Sequence, residues 1–484
     1  MPAVLPTDAD SRPFVACIID GRHIEMSPST YIPVFSAEKQ RIVHYSQSAD
    51  LNAAKLAIES SWDAFKTYRR ASVDERQRLL LKAADIFDDT ISDAMQRQMT
   101  ETSCSIEWAK MNAGSMSVIC RELARVLPDP LMGNTRTLAG DQKSTVVREP
   151  VGPVLSIIPW NGALLLCVRA VATALAAGCT VLLKASELCP WTHQFVVETF
   201  LQAGFPAGSV NMIVSSRTAA AEVTEAIISH PSLRKIEFIG SAVVGKAIGA
   251  MAAKSLKPII MELGDQSPVI VLEDADLDKA AQSCAQGAML LHGQVCFSTE
   301  RIIVLSSIKD RFCRLLSAAV GALPSAGFAV SNDFARKAKL AIDDAVSHGA
   351  KFLAGSGAML GPASLSPSIL TDVMPESALS KSEAFAPTAF VIAVENDEDA
   401  VAEANSREGG MSASIFTSNR DRGVRLAEEL EFGMIQINQT TLAIEPSIKG
   451  PATCVKGSGW GSAGGRYGIE NFIYYKAISF EEPR

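Results

Sequence analysis

The sequence predicts an α/β fold with two parallel-sheet domains and an added β arm. Three observations carry this. From Val151 onward, short apolar runs alternate with helical patterns across brief connections, the signature of strands and helices wound into a parallel sheet. The alternation resumes near residue 259 with different contents and runs to about 450. Finally, the tail places Phe472, Tyr474, Lys476, Ile478 and Phe480 at every second position, the period of a strand.

Taken in order, the first 125 residues mix an extended start with helical spacing at Asp50–Lys66, Val73–Phe87 and Ile91–Met99. A basic, proline-bearing stretch, Arg121–Pro130, is followed by a polar one, Gly133–Ser144, and the polar stretch Thr135–Arg148 suits an exposed hairpin. The first regular block gives strands at Val154–Ile158, Thr180–Leu183, Val210–Val214, Lys235–Ile239 and Pro258–Met261. Helices at Val168–Ala177, Thr192–Ala203, Ala219–Ser229 and Ser241–Lys254 separate them, with Gly178 and Gly204 as stops. The second block gives strands at Val269–Leu272, Arg301–Leu305, Ala389–Val394, Ala413–Phe416 and Met434–Ile437. Its helices are Leu277–Leu291, Lys309–Val320, Phe334–Ser347, Glu398–Ala404 and Arg420–Leu430. No internal repeat or low-complexity linker interrupts this order.

Composition excludes several functions. The chain has 484 residues, a net charge of −8 and only 6% aromatics, which argues against nucleic-acid binding. Leu164–Ala177 is apolar but too short to span a bilayer, and Arg169 interrupts it. The start, MPAVLPTDADSRPF, has no leader pattern, and EEPR is no retention or peroxisomal signal, so a cytoplasmic protein without membrane contact is expected. The ten cysteines form no CxxC pair and no metal-ligand spacing, which reads as reduced thiols and no metal.

Three residues could carry chemistry. Cys296 ends Gly293-Gln294-Val295-Cys296, between an apolar helix and a strand, where a thiol can face a cleft. Alone, it could equally be a small core residue, as Cys167, Cys179, Cys284 and Cys313 are expected to be. Glu262 follows a buried strand, at the carboxyl end where α/β proteins place their sites; a solvated strand-end acid is the plainer reading. Asn161, in Pro159-Trp160-Asn161, has an amide that could meet a developing oxyanion, though Pro-x-Asn is also turn chemistry.

Together with Lys184-Ala-Ser-Glu187, Phe238-Ile-Gly240-Ser241, Glu262-Leu263-Gly264, Glu383-Ala-Phe385-Ala-Pro387 and the glycines at 459, 461, 464 and 465, these motifs stand in the order and spacing of one family. The chain resembles the NAD(P)-dependent aldehyde dehydrogenase superfamily from about residue 30 to 480. Cys296-Phe-Ser-Thr-Glu-Arg301 resembles its salicylaldehyde and vanillin dehydrogenase branch. The resemblance implies an aldehyde-oxidising enzyme with a bulky aromatic or unsaturated substrate. Cys296 is then the nucleophile, Asn161 and the Cys296 backbone N–H the oxyanion hole, and Glu262 the base that releases the acid. It implies a cofactor held by Pro159, Trp160, Lys184, Glu187, Gly240, Ser241, Gly245, Leu263, Glu383 and Phe385. Glu187 favours NAD by repelling a 2′-phosphate, while Lys184 leaves NADP possible. It also implies a Rossmann-type cofactor domain (1–127 and 147–258), a catalytic domain (259–450) and oligomerisation arms (128–146 and 451–484) of a homodimer or homotetramer.

The sequence departs from the family at several points. Glu-Leu-Gly-Gly-Lys-Ser-Pro becomes Glu262-Leu263-Gly264-Asp265-Gln266-Ser267-Pro268. Negative charge at Asp265 is expected to disfavour ionised Glu262, and a former glycine position could strain the backbone. Met289-Leu290-Leu291-His292 removes polar groups before the nucleophile, and His292 is expected to point away from Cys296. Gly321–Asp333 is short, and Cys454 is new, expected to be structural. Two alternatives stand beside the leading reading: acyl transfer or thioesterase use of the same cysteine, and a non-catalytic scaffold of the same fold.

Overall fold

In the computed structural model, Val154–Ile157 lies at the centre of an eight-stranded sheet. The structure describes residues 5, 7, 13–24, 31–131, 134–137, 142–323, 327–442 and 444–481. The order across this sheet is Gly459–Trp460, Ile259–Glu262, Lys235–Ile239, Val154–Ile157, Val181–Ala185, Val210–Val214, Cys17–Ile19 and Arg22–Ile24. Its inner strands are parallel, and both edges close with antiparallel ones. The inner strands are almost wholly apolar, as strands covered on both faces must be. Helices Val73–Asp89, Ile106–Val126, Ala163–Ala177 and Pro190–Ala203 cover one face. Helices Leu51–Tyr68, Ala220–Ser229 and Ala242–Lys254 cover the other.

Strand order reverses beside Val154–Ile157. The chain moves outward one way through Val181–Ala185 and Val210–Val214, then returns to the other side for Lys235–Ile239 and Ile259–Glu262. Such a switch point opens a crevice at the strands' carboxyl ends. Asn161 follows one of these strands and Glu262 ends another.

The second block forms a seven-stranded sheet in the order Lys351–Gly355, Ser368–Thr371, Thr388–Val394, Thr299–Leu305, Ser267–Val271, Ser412–Phe416 and Met434–Ile437. All its pairs are parallel except the first. Cys296 stands just before Thr299–Leu305, so the carboxyl ends of the first sheet meet the amino end of this one. The tail strand Ile473–Glu481 pairs antiparallel with Gln142–Pro150, whose other side takes Asn134–Thr137. The alternating tail is thus a strand, as its period predicts.

Several elements differ from expectation. Arg121–Val126, to which the sequence assigns no element, is the end of the helix Ile106–Val126, where Ser105 caps the first turn by accepting from Trp108 N. Helix Ala163–Ala177 starts before its expected beginning at Val168, because Gly162 precedes it and every residue is buried. The extended start resolves into strands, among them Tyr31–Ser36 and Arg41–Gln47. Lys351–Gly355 and Ser368–Thr371 gave too short a signal to be read. Parts of the polar stretch 133–144 and of the short segment 321–333 lie outside the described residues. No described helix is long and apolar enough to cross a membrane.

Candidate active site

The loop that carries Cys296 is built on left-handed backbone. Leu291, His292 and Gly293 all have positive φ, a costly run for side-chain-bearing residues that persists only where packing enforces it. At Gly293 a Cβ would run into the carbonyl of Ala386, so only glycine fits. This contact ties the nucleophile loop to the Glu383–Pro387 motif. Gln294 ties it on the other side: its amide donates to the Leu291 and Phe328 carbonyls and accepts from Val330 N.

Asn161 reaches this loop directly. Its Nδ2 donates to the Gln294 carbonyl at 3.0 Å, and its Oδ1 accepts from Gly162 N. One Nδ2 hydrogen is thereby left for a second acceptor. Trp108 holds the Asn161 backbone, with its indole N–H donating to the carbonyl at 2.8 Å.

Glu262 is 9% exposed and shares a 2.5 Å hydrogen bond from Arg169 Nη2 to its Oε2. Its Oε1 has no partner among the described residues. Asp265 has partners of its own. Its Oδ2 accepts from the backbone N–H groups of Met411 and Ser412, and its φ is not positive. The expected backbone strain is therefore not found.

Asn161, Glu262 and Cys296 line two adjoining spaces. The first is a mostly apolar slot walled by Trp108, Leu165, Leu166, Phe297, Met411 and Met434. About 50 Å³ of it is open to the centre of a water molecule, against about 320 Å³ for the second. That second space is a cleft lined by Pro159, Trp160, Gly240, Ser241, Glu383 and Phe385. The structure therefore gathers most of the expected cofactor residues beside Cys296. Gly245 and Leu263 pack on each other instead: a Cβ at Gly245 would enter the Leu263 side chain. Lys184 and Glu187 lie one strand over, outside the cleft lining, and Glu187 accepts from Arg217 Nε at 2.9 Å.

The cleft fits a dinucleotide. Ser241 caps helix Ala242–Lys254, so unsatisfied N–H groups face the cleft at its start. The Glu383 carboxylate lies directly over Gly264, where any Cβ would collide with it, and its Oε1 is a buried acceptor without a partner among the described residues. That is the chemistry a ribose hydroxyl answers.

Electrostatics make the resting thiol neutral. Burial pushes the Cys296 thiol up, the carboxylates of Glu383 and Glu262 add to this, and Arg169 opposes it. Of the ten cysteines, all free, Cys296 alone is half-exposed. Cys454, expected to be merely structural, stands in the slot wall with it. His292 is buried, and a Cys–His contact joins Cys189 Sγ and His193 Nε2 at 3.5 Å.

Sequence reasoning missed Arg169, Trp108 and Asn112 as parts of the site. Arg169 had a signal: a lone cation in an otherwise apolar helix requires a buried acid.

The sequence profile of the aldehyde dehydrogenase family matches residues 23–478. The chain belongs to the aldehyde dehydrogenase family. Among its relatives, a vanillin dehydrogenase from Pseudomonas sp. strain HR199 is 33% identical, with 97% of this chain and 98% of that protein covered. A salicylaldehyde dehydrogenase from Pseudomonas putida is 34% identical, over 91% and 92%. Among solved structures, salicylaldehyde dehydrogenase from Pseudomonas putida G7 with salicylaldehyde superposes with a TM-score of 0.93 at 31% identity, covering 97% of this chain and 98% of that one. Betaine aldehyde dehydrogenase from Staphylococcus aureus with NAD+ gives 0.91 at 25%, covering 97% and 95%. This aldehyde dehydrogenase is accordingly an oxidoreductase that acts on aldehydes with NAD(P) as acceptor.

Proposed function

We propose that this aldehyde dehydrogenase oxidises an aromatic aldehyde to its carboxylic acid, with Cys296, Glu262 and Asn161 as the catalytic residues. The observation that carries this is their convergence on one narrow apolar slot that adjoins the cofactor cleft. A flat ring suits that slot better than a charged or strongly hydrated chain.

Each residue then has a task. Glu262 Oε1 takes the thiol proton, since burial keeps Cys296 neutral at rest. Cys296 Sγ bonds to the carbonyl carbon, and the oxygen turning negative meets the spare Asn161 Nδ2 hydrogen and the Cys296 backbone N–H. Bound NAD(P) supplies the acceptor for the hydride that leaves the thiohemiacetal. Glu262 passes the thiol proton on to solvent and then draws a proton from water, whose oxygen attacks the thioester carbon; the C–S bond breaks, the acid is freed, and Glu262 returns its proton to Sγ. Arg169 keeps Glu262 in place throughout.

The cofactor side is assigned to Pro159, Trp160, Gly240, Ser241, Glu383 and Phe385, with Gly245 and Leu263 supporting the pyrophosphate helix and Lys184 and Glu187 taking the adenosine ribose. Glu187 favours NAD. Its Arg217 partner gives a 2′-phosphate a second cation beside Lys184, so NADP is the weaker substrate and not an excluded one. The domain division at 1–127 with 147–258, 259–450, and 128–146 with 451–484 follows the family architecture, as does a cytoplasmic homodimer or homotetramer. Tyr475, Ile478 and Phe480 stay exposed on the edge strand Ile473–Glu481, which supports sheet addition between copies.

Purified protein with NAD and a panel of benzaldehydes and aliphatic aldehydes tests the reading through NADH absorbance. Turnover of benzaldehydes that disappears in Cys296→Ala is expected. Glu262→Gln should give one rapid NADH burst and then stall as the thioester accumulates. No oxidation of any benzaldehyde, or undiminished turnover in Cys296→Ala, would sink it.

A further inference from the structure

Asn112 lies on helix Ile106–Val126, 1% exposed, in the wall of the slot that holds Cys296. Its Nδ2 donates to the Trp108 carbonyl one turn back, at 3.2 Å. A carbonyl can only accept, so this bond fixes the amide's orientation and turns Oδ1 the other way. Oδ1 has no hydrogen-bond partner among the described residues. It stands 3.7 Å from the point where a Cβ on Gly162 would lie, beside the residue that offers the oxyanion donor.

A buried amide oxygen without a donor costs about 1–3 kcal/mol, so such groups are paired in a working state. No described residue donates to it, and Leu165, Leu166, Val295, Phe297 and Met434 in the same wall are apolar. A substrate that enters the slot can bring the donor that Oδ1 lacks.

We propose that Asn112 is a specificity-determining residue, accepting a hydrogen bond from a hydroxyl carried by the aromatic ring of the aldehyde. The inference rests on the aromatic-aldehyde reading and narrows it to hydroxyaryl aldehydes. A methoxy group of similar size keeps the oxygen but loses the donor, so it gains nothing from Asn112. A positioning role alone, through Trp108 and Asn161, would affect every aldehyde equally and leave ratios between substrates unmoved.

The experiment compares kcat/KM, by NADH formation, for benzaldehyde, its three ring-position hydroxy isomers and the matching methoxy compounds. In the wild type, at least one hydroxy isomer should exceed both benzaldehyde and its methoxy counterpart by about 10-fold. In Asn112→Leu that ratio should fall to about 1, and Asn112→Ala, which adds no bulk, should show the same loss. The wild-type comparison needs no variant to fold. Equal kcat/KM for hydroxy and methoxy compounds at every position, which would mean that water satisfies Oδ1, overturns the inference while leaving aromatic turnover intact. A hydroxyl preference retained in both variants overturns it too. Oxidation of aliphatic aldehydes with no benzaldehyde turned over removes the underlying reading and the inference with it.

Discussion

Arg169 Nη2 stands 2.5 Å from Glu262 Oε2, and both side chains are buried. Arg169 belongs to the wholly buried helix Ala163–Ala177, so the cation is fixed by the core and the acid is fixed by the cation. Only Oε1 is free to move a proton. A helix that otherwise reads as packing thus sets the aim of the base.

Removing the cation should therefore be costly twice. Arg169→Met leaves a buried carboxylate unpaired, and a loss of about 3–5 kcal/mol is expected from thermal or urea unfolding. The deacylation rate should fall with it, because Glu262 loses its fixed geometry. Arg169→Met combined with Glu262→Gln should recover much of the stability and none of the turnover.

Glu237 gives stability a pH dependence. It is buried on strand Lys235–Ile239, and burial raises its pKa to about 7; Glu262 adds to this, while Arg169, Ser156 and Lys235 oppose it. An acid whose folded pKa lies above its unfolded value binds more protons when folded. Stability is then fully present below about pH 4.5 and lost as pH rises toward 7. The loss is of order 1–3 kcal/mol. Melting temperature between pH 5 and 8 should fall, and Glu237→Gln should flatten the curve. An equally steep curve in that variant would refute the assignment.

Asp265→Asn keeps the shape but weakens the acceptor for the Met411 and Ser412 N–H groups. We expect a drop in stability of about 1–2 kcal/mol in denaturant titration. The pH profile of kcat should stay where it is, because Asp265 Oδ2 is engaged by these N–H groups. A profile displaced by a unit or more would restore the influence that the sequence suggested.

Glu383 shares its surroundings with Glu300 and Asp265. Burial raises Glu383 well above the usual carboxyl range, and these two acids push it further. Glu300 is raised for the same first reason. Where the family carries lysine, Gln266 donates to Glu300 Oε2 but brings no charge. Burial and these neighbours thus favour the neutral form of Glu383, and Glu383→Gln, which is neutral as well, should change NAD affinity less than about 3-fold, measured by calorimetry. Gln266→Lys should pull the acids down and make binding respond more sharply to Glu383→Gln.

Much of this was legible in the sequence. Val154–Ile157, Val181–Ala185 and Lys235–Ile239 are apolar runs bounded by Gly or Pro, and both blocks were found from such runs. Cys296, Glu262 and Asn161 were legible because each stands next to an element end, where a side chain can leave the core. What stayed hidden is relational. Arg169 announced that it needed an acid but not which one. Asp265 looked like a neighbour of Glu262 along the chain, yet its partners, Met411 and Ser412, come from a distant strand. Helix Ile106–Val126 was obscured at its end by Arg121 and Arg125, whose charges point outward to Asp85 and Glu122.

Strand Gly459–Trp460 pairs with Ile259–Glu262, placing Gly459 opposite Glu262, and Ser458 accepts from Leu263 N. The first sheet therefore cannot close its edge during synthesis until residue 460 has left the ribosome. Throughout translation of the second block, that edge stands open to other chains and to chaperones. Contacts of such long sequence separation also slow folding. The strand that carries Glu262 thus gains its outer neighbour only when the chain is almost complete.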